Sequence, residues 1–152
     1  MSVVLDTNIL TRAVQPAHPS HKVALDSLEA LRKQGEDLCI VPQNLYEFWV
    51  VATRPRGVNG LAMSIVEAQV EIASVKKLFR FLNETSALYE QWERLVSQHA
   101  VSGRTAHDAR IVAAMIVHSV PQLLTFNSDD FKRFSDIVVL NPNDFVGRAS
   151  SS

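Results

Sequence analysis

The stretch Val3-Val4-Leu5-Asp6-Thr7-Asn8 organises the chain. Its apolar, β-branched start reads as a short buried strand. The strand ends in an acid, followed by Thr7 and Asn8, which make turns and cap helices. Open α/β sheets bind ligands beyond the carboxyl ends of their strands, so Asp6 stands where a ligand would be met. Three later stretches carry further oxygen donors: Asn44-Leu45-Tyr46-Glu47, His107-Asp108-Ala109 and Thr125-Phe126-Asn127-Ser128-Asp129-Asp130-Phe131.

Outward from that strand, Thr7 or Asn8 is expected to cap a helix from Ile9 to Val14, which Pro16 stops. Gln15 to Ser20 reads as a loop. Val23, Ala24, Leu28 and Leu31 give His21 to Lys33 a helical period, and Gly35 closes it. A second strand is expected at Leu38 to Val41 and a helix from Pro42 to about Thr53. Pro and Gly make Arg54 to Gly60 a loop. Then come a helix from Leu61 to Lys77, a third strand at Leu78 to Leu82, and a long helix from Thr85 or Ser86 to about Val101. Thr105 to Ser119 is the clearest helix. Leu123 to Thr125 is a fourth strand, Asp129 to Phe134 a helical turn, Ile137 to Leu140 a fifth strand and Asn141 to Phe145 a terminal turn. Strands alternating with helices imply an α/β fold with a five-stranded, mainly parallel sheet flanked by helices.

A length of 152 residues fits one domain with its own core, expected over 1–147, with 148–152 a loose tail. The single cysteine, Cys39, excludes a disulfide framework within the chain and reads as a small buried hydrophobe. A reducing, cytoplasmic setting follows. The start lacks the basic residues of a signal peptide, and no apolar run is long enough for a membrane span. Fifteen basic against 16 acidic residues leave a net charge of −1, so no global positive field advertises a nucleic-acid binder.

The acids admit two readings. Asn44-x-x-Glu47 and Thr105-x-x-Asp108 have the form of helix caps, and acids favour helix N-termini through the dipole. Yet Glu47 shares a helix face with Val50 and Val51, and Asp108 heads a stripe through Ile111, Val112 and Met115. The last stretch can likewise be a capping turn, with Asp129 facing solvent. If Asp6, Glu47 and Asp108 converge, they need a counter-charge. Hard oxygen donors without a His–Cys cluster point to Mg²⁺ or Mn²⁺, and such a site suits phosphodiester hydrolysis. The histidines are scattered; His18 and His21 read as solvated, and Trp49 and Trp92 as core or interface anchors.

At these residues the chain resembles the PIN-domain family, and most of all its VapC-type toxins from prokaryotic toxin–antitoxin pairs. Val4-Leu5-Asp6-Thr7-Asn8 matches the family's first acidic motif, Glu47 its second acid, and Asp108 in His107-Asp108-Ala109-Arg110 its third. Thr125 to Phe131 resembles the last motif, except that Asn127 stands where the family has a fourth acid. Asp130, or failing that Asp129, is expected to supply the missing carboxylate. The resemblance implies a Mg²⁺- or Mn²⁺-dependent ribonuclease with Asp6, Glu47, Asp108 and Asn127 in catalysis. It implies Asp6, Glu47, Asp108 and Asp130 at metal, and Asn8, Thr125, Arg104 and Arg110 toward substrate. It further implies RNA as substrate, a homodimer and a cognate antitoxin. Arg12, Arg54, Arg56 and Lys132 are further candidates for RNA phosphates, each equally readable as a solvated charge. Asn127 keeps a non-catalytic PIN-like binding module open as the alternative. A phosphatase with a strand-end nucleophile would want an acid where Asn8 stands, and leaves Glu47 and Asp108 unexplained.

Overall fold

A computed structural model describes residues 1–146; Gly147 and the tail expected at 148–152 lie outside the described residues. Five strands, β1 (Ser2–Leu5), β2 (Asp37–Ile40), β3 (Arg80–Phe81), β4 (Gln122–Leu124) and β5 (Val138–Leu140), form one sheet. Their order is β3-β2-β1-β4-β5 and all neighbours pair in parallel. The mainly parallel sheet expected is therefore wholly parallel among the described strands. The chain builds outward from β1 through β2 to β3, then returns to the other side of β1 for β4 and β5. That reversal makes the gap between β1 and β4 the switch point where such sheets bind ligands.

The period of two in the strands builds both cores. Val3, Leu5, Leu38, Ile40 and Leu124 point to one face. There they meet α1 (Thr7–Ala13), α2 (His21–Lys33), α3 (Pro42–Thr53) and α4 (Ile65–Leu78) through Ile9, Leu10, Leu31, Phe48 and Val75. Val4, Cys39 and Leu123 point to the other. They meet α5 (Leu88–Gln98), α6 (Thr105–Val117) and α7 (Ser128–Phe131) through Leu95, Ile111, Met115 and Phe131. Burial and the nearby Asp37 push the Cys39 thiol up to about 11, so it stays protonated and packs as a hydrophobe.

Several boundaries differ from expectation. Leu61 to Met63 are not helical: the Leu61 and Met63 N–H groups donate to the Val51 and Ala52 carbonyls, and Ala62 has a positive φ of 52°. Helix α4 instead starts at Ile65, behind a Ser64–Glu67 capping box. It runs on to Leu78, which leaves β3 two residues long. Helix α5 is shorter at both ends than the span from Thr85 to Val101; just after it, Ala100 takes a positive φ of 51°. Helix α7 spans four residues, one turn, starting at Ser128.

Candidate functional site

Asp6 itself, not Thr7 or Asn8, caps α1: its Oδ1 accepts the Thr7 N–H at 2.7 Å. The Thr125 hydroxyl at the end of β4 donates to Asp6 Oδ2 at 2.7 Å, across 119 residues of sequence. Asn8 stitches the same two strand ends. Its amide donates to Asp6 Oδ2 and Thr125 Oγ1 at 3.4 and 3.3 Å, and its carbonyl accepts the Phe126 N–H at 3.3 Å. Asn8 and Thr125, expected toward substrate, are thus engaged in fixing Asp6.

Glu47 is not a cap. Pro42 opens α3, so Asn44 is its third residue rather than its cap, and its Oδ1 reaches back to accept the Val41 N–H at 2.8 Å. The capping-box form of Asn44-x-x-Glu47 is overturned by that register. Glu47 accepts instead from the Thr7 hydroxyl at 2.8 Å, and Asn44 donates to the same hydroxyl oxygen at 3.3 Å. Thr105 makes no side-chain cap either, which frees Asp108 from the expected capping pair. Gln43 ties the two helices together, donating to the His107 carbonyl at 2.9 Å.

Burial and neighbouring carboxylates shift two of the acids. Burial pushes Asp6 up to about 6, against the bonds from Thr125 and Thr7, and the charges of Glu47 and Asp130 push it further. Asp108 is also raised to about 6, by burial and then by the charges of Asp6, Asp130 and Glu47; Arg104 opposes this. Glu47 and Asp130 thus act on both Asp6 and Asp108. Asp129 is exposed and held below the usual carboxylate range by Lys132. Asn127 is exposed, and its backbone N–H donates to Thr125 Oγ1 at 3.0 Å. Arg110, two positions beyond Asp108 and so roughly 200° around α6, is bound to Glu84 and Gln43.

Sequence reasoning missed Thr7 and Asn44, which hold Glu47; a hydroxyl next to the strand-end acid was the available signal. As the side chains stand, no three His, Cys, Asp or Glu residues among the described residues are grouped tightly enough to hold an ion. In kind, the donors fit a hard divalent cation: Asp6, Glu47, Asp108 and Asp130 offer carboxylate oxygens, and the raised pKa of Asp6 and Asp108 comes from burial first and neighbouring negative charge second.

The family model of the PIN domain matches residues 3–137. No curated protein matches the chain significantly. Among solved structures, VapBC2 from Rickettsia felis is 20% identical with a TM-score of 0.67, covering 93% of this chain and 98% of that one. FitAcB from Neisseria gonorrhoeae is 21% identical with a TM-score of 0.66, covering 92% and 97%. VapC20 from Mycobacterium tuberculosis, described as a sarcin–ricin loop cleaving toxin, is 18% identical with a TM-score of 0.61, covering 84% and 92%. At these identities the likeness is one of fold.

Proposed function

The chain belongs to the PIN domain family, and we propose that it is a divalent-metal-dependent endoribonuclease, the toxin of a type II toxin–antitoxin pair. The observation that supports this reading is Asp6 fixed at the end of β1 by Thr125 at the end of β4, with Asp6 and Asp108 both raised to about 6 by burial and then by neighbouring carboxylates, Glu47 and Asp130 among them. A structural scaffold gains nothing from keeping like charges together, whereas a cation site requires it.

Asp6, Glu47, Asp108 and Asp130 would hold Mg²⁺ or Mn²⁺. When bound, the ion supplies a water of lowered pKa and offsets charge on the phosphodiester. Thr125, Asn8 and the Thr7 N–H fix both Asp6 oxygens, so that carboxylate is pre-organised. Thr7 and Asn44 do the same for Glu47. Arg104, beside Asp108, is the cation placed to meet an incoming phosphate. Asn127 positions Thr125 through its backbone, while Asp130 carries the charge.

One structural neighbour is described as a toxin–antitoxin complex from Klebsiella pneumoniae, which supports a cognate antitoxin as partner. A second copy of the chain and a cytoplasmic setting complete the reading. No helix among the described residues is long and apolar enough to cross a membrane. The test is incubation of purified protein with a structured RNA and Mn²⁺. Cleavage that stops in chelator supports the reading. RNA binding without cleavage in any divalent ion replaces it with a non-catalytic binding module.

A further inference from the structure

Next to the acidic cluster, and sharing Thr7 and Asn8 with it, lies a cavity of ≈ 560 Å³ of the opposite charge. Arg12 reaches it from α1, His18 from the following loop, and Arg54 and Arg56 from the loop after α3; no Asp or Glu lines it. Among the described residues, none of these three arginines has a carboxylate within ion-pairing distance. Arg80, Arg94, Arg110 and Lys132, elsewhere on the surface, each meet an acid. Three guanidinium groups facing one space repel one another unless an anion sits among them.

The loop presenting two of them is tightly built. The Gly60 N–H donates to the Pro55 carbonyl at 2.9 Å and the Ala62 N–H to the Arg54 carbonyl at 2.9 Å. A Cβ on Gly60 would lie 1.8 Å from the Arg54 carbonyl oxygen, so only glycine closes this turn. The Arg54 guanidinium donates to the Asn59 carbonyl at 3.1 Å, and its Nε–H has no acceptor among the described residues. Arg12 donates to Gln15 at 2.8 Å. Each guanidinium carries five N–H donors, so most remain available. His18 Nδ1 accepts the Ser20 N–H at 3.0 Å. Burial and the Arg12 charge lower its pKa, so it stands neutral with Nε2–H as a donor. These residues form an anion cradle rather than a solvated charge run.

We propose that this cavity binds a phosphate of the RNA backbone adjacent to the one cut at the acidic cluster. The assignment rests on the ribonuclease reading and adds the missing electrostatics: an acidic cluster repels a polyanion, and a basic cavity one step along the strand retains it. Planar guanidinium forks suit phosphate in particular.

Arg54→Ala and Arg56→Ala, with Lys77→Ala as a charge-matched control, are measured in two ways. The first is cleavage in Mn²⁺; the second is the salt dependence of binding to a labelled single-stranded RNA in chelator. Losing one phosphate contact should raise KM roughly tenfold with kcat unchanged, and lower the slope of log K against log salt by about 0.7. Lys77→Ala should match wild type. Arg56 is exposed and makes no side-chain bond within the described chain, so its variant carries the test even if Arg54→Ala fails to fold. If wild type cleaves while both variants keep its KM and slope, the subsite is overturned. Variants that bind RNA normally but lose a polyglutamate peptide would overturn it in favour of an acidic protein segment. Should wild type not cleave while RNA binding still depends on Arg56, the ribonuclease reading fails and the phosphate site stands.

Discussion

Replacing Asp6 by Asn should stabilise the protein. Burial and neighbouring carboxylates raise Asp6 from 3.8 to about 6. At neutral pH the folded state therefore keeps ionised a group that would rather be protonated, at a cost of about 3 kcal/mol. Asn removes that cost and keeps one acceptor oxygen for the Thr7 N–H. Its amide nitrogen then faces Thr125 Oγ1, which already accepts from Asn8 and Asn127, so about 1 kcal/mol of hydrogen bonding is forfeited. The net gain is about 1–2 kcal/mol, a rise in Tm of about 3–6 °C for a chain of this size. Calorimetry at pH 7.5 in chelator measures it. A fall of several degrees would refute the reasoning, because Asp6 would then be a structural acceptor whose bonds outweigh its charge.

Lowering the pH should also stabilise the metal-free wild type. Asp6 and Asp108 hold folded values of about 6 against 3.8 unfolded, so the folded state binds more protons between those limits. Their destabilisation is full above about pH 6 and is relieved toward pH 4; urea midpoints at pH 7.5 and 5.0 should show the later midpoint at pH 5.0. Asp130→Asn should cut Mn²⁺-dependent cleavage about tenfold or more, while Asp129→Asn leaves it within about twofold: both are exposed, but Asp129 is paired with Lys132, whereas the charge of Asp130 acts on Asp6 and Asp108. The reverse ranking in a cleavage assay would place that turn one residue out of register. Gly60→Ala should cost about 1–3 kcal/mol in urea unfolding, from the Cβ driven against the Arg54 carbonyl; an unchanged midpoint would mean that the loop opens freely.

The fold was legible where a local pattern had one solution. Val3, Val4 and Leu5 alternate between the two cores, and the alternation of strands with helices implied the parallel sheet. Asp6 could be placed because a strand end in such a sheet is a position with a known use. The caps were not legible: Asn44-x-x-Glu47 has the same spacing whether Asn44 is the cap or the third residue of the helix, and Pro42 at the helix start decides it only once α3 is built. The start of α4 was equally hidden, because Leu61 and Met63 pair with the end of α3 rather than with their own neighbours. Thr125 reads in sequence as a polar strand end. Its bond to Asp6 exists only because β4 returns to the side of β1. The basic cavity lies furthest from any local signal, since Arg12, His18 and Arg54 come from separate segments.

Calorimetric titration of Mn²⁺ into the metal-free protein, wild type beside Asp6→Asn, tests most directly whether the four carboxylates form a cation site. The account predicts saturable binding to the wild type, weakened at least about tenfold in the variant, with a Tm rise in Mn²⁺ that follows the affinity by mass action. Binding of equal strength in both proteins, or none in either, would contradict it.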